Sequence, residues 1–126
     1  MKSLALAPIG MAVLLAACTI GSEMPGPDEG AKLFAQNCTA CHGANGTGGI
    51  GPDLTAIAQR NGGTFPRARM LSQIDGYAKG THADRAMPEF GATLTGETVP
   101  VDIDGTLTPT PRPLAALLAY LESVQG

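Results

Sequence analysis

The sequence predicts an all-α fold of about four short helices, with a small β-hairpin inserted near residues 98–108. Three observations predict it. First, helix signals occur at 28–37, 54–59, 66–76 and in a closing stretch from 111. Second, only Val99, Val101 and Ile103 alternate with polar residues, and Asp104-Gly105 follows them as a turn. Third, the 126 residues hold no Trp, 2 Tyr and 3 Phe against 17 Gly and 10 Pro. A single domain of this length should bury roughly two thirds of its unfolded surface, and these side chains make a weak core. A disulfide, a metal or a large cofactor should therefore help to fill the interior. The composition excludes a long coiled coil, collagen and outright disorder. Three cysteines exclude a framework that pairs every Cys within one chain.

The first seventeen residues are not part of that domain. Lys2 gives a positive start, and Leu4 to Ala17 is apolar, interrupted by Pro8 and Gly10. The stretch is too short to cross a bilayer core of ~30 Å as a helix. It reads as a secretory signal peptide, 1–17, with small residues at its end. Leu15-Ala16-Ala17-Cys18 resembles the bacterial lipoprotein box. That resemblance implies cleavage before Cys18 and acylation of its thiol and new amino group. An ordinary signal peptide cut near Ala17, with Cys18 incidental, is the alternative. Residues 18–27, polar with Gly and Pro, read as a flexible tether, and 28–126 as the folded domain. Loss of Lys2 leaves 7 basic against 11 acidic residues, a net charge of −4. Such a balance argues against a nucleic-acid partner.

Within the domain, Asp28 is placed to cap a helix running to about Asn37. Gly30 leaves room for a second helix to cross, and Phe34 lies one turn on. Cys38-Thr39-Ala40-Cys41-His42 follows. C-x-x-C-H is the attachment signature of c-type haem. Two thiols three residues apart can add to the two vinyl groups along one edge of a haem, and the adjacent His is carried under the iron. A thioredoxin-type redox pair expects a βαβ context, but these flanks are helical or Gly-rich. A structural zinc site needs four ligands, and beyond these three only His82 remains. A structural disulfide is the remaining alternative in an exported chain.

The Gly-rich run 43–51 lacks a G-x-x-x-x-G-K-[ST] pattern and no strand precedes it, so it is not a phosphate loop. It reads as a loop that leaves the motif and turns back. Asp53 can cap the helix 54–59. In 66–76, Met70, Leu71 and Ile74 suggest core packing. At the far end, Thr110 can cap a helix with Pro111 at its first position. Leu114, Leu117, Leu118 and Leu121 form its apolar stripe, and Tyr120 is placed to meet Phe34.

These residues together resemble the class I cytochrome c family over roughly 28–126. The likeness is carried by Gly30-Ala31-Lys32-Leu33-Phe34 before the motif and Gly51-Pro52-Asp53-Leu54 after it. Met87-Pro88 and the closing stretch Leu114–Val124 complete it. The resemblance implies one haem c held covalently by Cys38 and Cys41, with His42 as proximal and Met87 as distal iron ligand. It also implies that the Pro52 carbonyl accepts the His42 ring N–H, with Leu54 and Ile57 facing the haem. From the residues themselves, Met24, Met70, Met87 and His82 all compete for the sixth position. Met24 lies in the tether and Met70 in a helix. Met87 precedes a proline, which disfavours helix there, and sits 45 residues after His42, enough to cross to the other haem face. His82 and an open site stay as alternatives.

The stretch 91–110 departs from compact family members. Pro100 marks an edge strand, and Glu97, Asp102 and Asp104 offer either a partner-facing patch or a solvated loop. Arg60 or Arg67 could meet a haem propionate; ordinary surface charge is the alternative. No arrangement of paired carboxylates or Ser, His and Asp suggests an enzyme. The expected function is that of a monomeric, lipid-anchored, single-haem electron carrier on the periplasmic side of a bacterial membrane, serving redox protein partners. A permanent cytochrome subunit of a dehydrogenase or oxidase complex is an alternative, as is a haem-based small-ligand sensor. The poor core predicts an apo chain that is largely unfolded.

Overall fold

The computed structural model describes residues 23–77 and 87–126. Cys18, His82, Lys79, Arg85 and the leader lie outside the described residues. Five α-helices appear among them: α1 Pro27–Asn37, α2 Thr39–His42, α3 Ile57–Arg60, α4 Arg67–Asp75 and α5 Arg112–Ser123. A 3-10 turn covers Phe90–Ala92, and one antiparallel hairpin pairs β1 Thr98–Ile103 with β2 Thr106–Pro111. The helix beyond the expected four is α2, which carries the second half of the cysteine motif. None of the described helices is long and apolar enough to cross a membrane.

The framework is the crossing of α1 and α5. Gly30 is buried where they meet, and a Cβ there would lie 2.6 Å from Tyr120 Cβ and overlap the Ala116 carbonyl. One turn on, Phe34 packs on Tyr120 with ring centroids 5.1 Å apart at 47°, a tilted aromatic geometry.

Both helix starts differ from the expected ones. Asp28 is not the cap of α1: Gly26 occupies that position and Pro27 opens the helix. Proline fits there because the first N–H is unpaired in any case. Asp28 and Glu29 fall in the first turn, where they complement the positive helix end. The boundary expected after residue 27 is correspondingly soft, since Pro25 is buried and the Glu23 carbonyl accepts Arg112 Nη1 at 2.8 Å. Thr110 does not cap α5. It is a buried residue of β2 opposite Val99, with its Oγ1 donating to the Thr108 carbonyl at 3.0 Å. The hairpin runs to Pro111, so α5 begins one residue later than the sequence suggested.

The hairpin turn is Asp104-Gly105, with φ of 52° and 86°. Positive φ at both central residues is the two-residue turn that matches strand twist. Asp102 Oδ1 accepts the Gly105 N–H at 2.7 Å and fixes it. Ile103 pairs with Thr106 across the turn, so hydrogen-bonded pairs fall at alternate positions from there. Pro100 opposite Pro109 is then a non-bonded pair, and neither ladder loses a donor. The same placement leaves no N–H on either outer edge at that level, which discourages further strand pairing.

Two apolar clusters share α5. Leu114, Leu117 and Leu121 join Phe34 and Ile74 on one side. Ala115 and Leu118 join Val99 and Val101 of the hairpin on the other, with Phe65, Met70 and Leu71 packed against them. The helix is thus covered on two sides, and the insertion at 91–110 serves as the backing of α5. Polar ties close the frame. Arg67 bonds Glu122 at 2.6 Å and the Asp102 carbonyl at 3.1 Å, linking α4, α5 and β1. Arg112 bonds Glu29 at 2.9 Å, linking α5 to α1. Both pairs are over a quarter exposed, so solvent screens them and they orient the frame more than they stabilise it.

Candidate functional site

The frame encloses a cavity of about 440 Å³. Its walls come from residues far apart in sequence: Phe34 from α1, Ile74 from α4, Leu117 and Leu121 from α5, and Leu54 and Ile57 between. Cys38, Cys41 and His42 lie along the same wall, and Met87 and Pro88 enter from the other end of the sequence. All the site residues expected from the sequence that fall among the described residues therefore line one cavity: Cys38, Cys41, His42, Pro52, Leu54, Ile57 and Met87. Cys38, Leu54 and Met87 also pack against the Phe34 cluster.

The local folding of the motif is explicit. Cys38 ends α1, with its N–H on the Phe34 carbonyl at 2.9 Å. One turn of helix brings Cys41 beside it and buries His42. The chain then has to reverse. Gly43, Gly46 and Gly48 have φ of 79°, 72° and 106°, a region that side chains rarely adopt. Gly48 N–H returns to the His42 carbonyl at 2.9 Å, and Gly51 N–H to the Cys41 carbonyl at 2.7 Å. The glycine-rich run is thus the returning loop that the sequence suggested, and it brings Pro52 back to the imidazole.

There His42 Nδ1–H donates to the Pro52 carbonyl at 2.9 Å. A carbonyl only accepts, so the proton sits on Nδ1 and Nε2 keeps its lone pair. Such a bond orients a ligating imidazole and raises its basicity. Gly51 is required by the same contact, since a Cβ there would lie 2.7 Å from His42 Cε1.

Asp53 departs slightly from its expected role. Its Oδ1 accepts Thr55 N–H at 2.8 Å and Thr55 Oγ1–H at 2.7 Å, closing a turn. Those two bonds hold its carboxyl below the usual carboxylate range. The helix expected at 54–59 therefore starts only at Ile57. Gln125 was not foreseen. Its side-chain amide reaches Leu54 and Ala58 from the end of α5, a contact that depends on tertiary packing and leaves no local signal.

Of the two arginines considered for an acid group on the ligand, Arg67 is committed to Glu122 and does not line the cavity, whereas Arg60 does. Arg60 Nη2 is steadied by the Asp53 carbonyl at 2.7 Å. Two acidic residues of the insertion have local roles: Asp102 closes the turn and Glu97 lies 3.8 Å from Arg112.

Burial, and then neighbouring Cys41, push the Cys38 thiol up to about 11. A redox nucleophile works as thiolate, and burial disfavours that form here. Among the described residues no three His, Cys, Asp or Glu side chains converge on one point. A large apolar group fits better: the walls are largely aliphatic and aromatic, both cysteines line them, and an imidazole oriented through Nδ1 borders the same cavity. These residues fit haem c.

Gly51→Ala is expected to push the His42 ring off the Pro52 carbonyl. Nitrogen-edited proton NMR should show a slowly exchanging ring Nδ1–H in the natural protein and its loss in the variant. A retained resonance contradicts the close packing described.

Comparison with known proteins agrees. Residues 27–125 match the family model for cytochrome c. The chain is 34% identical over 83 residues to cytochrome c55X of Stutzerimonas stutzeri, covering 64% of this chain and 66% of that one. It is 36% identical over 73 residues to cytochrome c6 of Porphyra purpurea, covering 57% and 61%. It is 30% identical over 92 residues to a thiosulfate dehydrogenase of Psychrobacter arcticus, covering 73% of this chain but 28% of that protein. The chain thus spans no more than about two thirds of any of these three. No solved structure matches it. With the motif and the oriented histidine lining one apolar cavity, the match over 27–125 means that the chain belongs to the cytochrome c family, whose members carry electrons on covalently attached haem c.

Proposed function

We propose that this chain is a single-haem carrier that passes one electron at a time between redox proteins, anchored by lipid at the periplasmic face of a bacterial membrane. The observation that carries the reading is the His42–Pro52 hydrogen bond inside a cavity that Cys38, Cys41 and Met87 also line. Cys38 and Cys41 hold the haem by thioether bonds. His42 Nε2 is the proximal ligand and the Met87 thioether the distal one. Bound haem c supplies the Fe(II)/Fe(III) couple. A weakly donating thioether favours the reduced state and raises the potential. Phe34, Leu54, Ile57, Ile74, Leu117 and Leu121 keep water from the ring. Ile50, 90% exposed at the mouth of the same cavity, and the exposed Pro88 give a partner apolar contact at the point of transfer.

The anchor rests on Leu15-Ala16-Ala17-Cys18 alone. Several acyl chains at Cys18 would hold the protein stably, since each buried CH₂ is worth ~0.8 kcal/mol. The partial similarity to a thiosulfate dehydrogenase favours a second reading, a cytochrome unit held within a dehydrogenase complex. Stable copurification with a larger enzyme distinguishes it from a free carrier.

Visible spectroscopy of the periplasmically expressed protein, with a denatured pyridine adduct, should count one covalent haem. The ferric Met–iron absorption band should be present and should vanish in Met87→Ala. An unchanged band in that variant moves the ligand elsewhere, and no covalent haem ends the reading.

Cys18→Ser should release the protein from the membrane fraction into the soluble one. Membrane association that survives washing in that variant contradicts the lipid anchor.

A further inference from the structure

We infer that Gln125 is a positioning residue for the haem site, clipping the Leu54–Ala58 wall to the end of α5 and so keeping water off the cavity. The inference rests on the haem-carrier reading above.

The half-buried Gln125 amide is engaged at both ends. Its Oε1 accepts the Ala58 N–H at 2.9 Å. Its Nε2 donates to the Leu54 carbonyl at 2.8 Å and to the Leu121 carbonyl at 2.7 Å. The next residue adds a fourth tie, Gly126 N–H to the Thr55 carbonyl at 3.0 Å.

Each bond answers a definite need. The first N–H groups of a helix and its last carbonyls have no partner within the helix. Ala58 is in the first turn of α3, and its cap residue, Ala56, has no polar side chain to offer. Leu121 lies in the last turn of α5. One side chain thus supplies the missing acceptor to α3 and a donor to α5, across 67 residues of sequence.

What it clips is the cavity wall. Leu54 and Ile57 line the cavity, and both fall within the stretch that Gln125 brackets. Leu54 is also two residues beyond Pro52, whose carbonyl orients His42. The α3 helix is only one turn long and cannot hold itself in place. Without Gln125 the wall loses two side-chain bonds, and water gains access beside Leu54 and Ile57. Water at a redox group raises the local dielectric and favours the more highly charged oxidised state. The reduction potential should therefore fall.

The test uses full-length holoprotein. Gln125→Ala should lower the reduction potential and accelerate exchange of the Ala58 amide. Ser123→Ala is the control, because it removes an uncharged hydrogen bond to the Tyr120 carbonyl at the end of α5 without touching the wall, and it should leave the potential in place. Gln125→Leu is of similar size, adds no charge and loses all three bonds, and it carries the test if the alanine variant does not accumulate with haem. Its potential should also fall. A potential unmoved in the Gln125 variants, or moved equally by Ser123→Ala, overturns the assignment. A natural protein without covalent haem overturns the carrier reading instead.

Discussion

An apolar cavity of about 440 Å³ sits where a small domain would ordinarily place its largest side chains. Five aromatic residues in 126 cannot fill it. Left to water it would expose aliphatic surface from α1, α4, α5 and the Leu54–Ile57 turn at once, at roughly 25 cal/mol for each Å². The other arrangements follow from that constraint. Gly30 lets α1 and α5 approach closely enough to form one wall. The glycine run returns the chain beneath His42, and the turn at Asp53 aims the next wall residues inward.

The hairpin answers a different need. A helix that packs Leu114, Leu117 and Leu121 into the Phe34 cluster still has Ala115 and Leu118 on the neighbouring face. Val99 and Val101 cover them. Two edges that carry Pro100 and Pro109 can then face solvent without inviting another strand. In this view the insertion stiffens the helix on which much of the haem wall depends.

Much of this could be read from residue order. The leucine stripe of α5, the Asp104-Gly105 turn and the cysteine motif are local signals, and each appears where the pattern placed it. Phe34 meets Tyr120 as the spacing suggested. The caps were not readable, because they depend on what the neighbouring segment does. Pro27 opens α1 ahead of Asp28, and β2 claims Thr110. The start of α3 shifted because the Asp53 carboxylate was taken by Thr55 two residues on. Arg67 and Gln125 illustrate the larger gap. Their partners lie 55 and 67 residues away, and only the packed structure brings them together.

The haem is a structural member as much as a functional one. The most direct test is the thermal melting of the haem-free chain, prepared as the Cys38→Ala/Cys41→Ala double variant and followed by circular dichroism. The account predicts weak helical signal and no cooperative transition, beside a helical holoprotein that melts in one step. A compact haem-free domain with a sharp transition would contradict it.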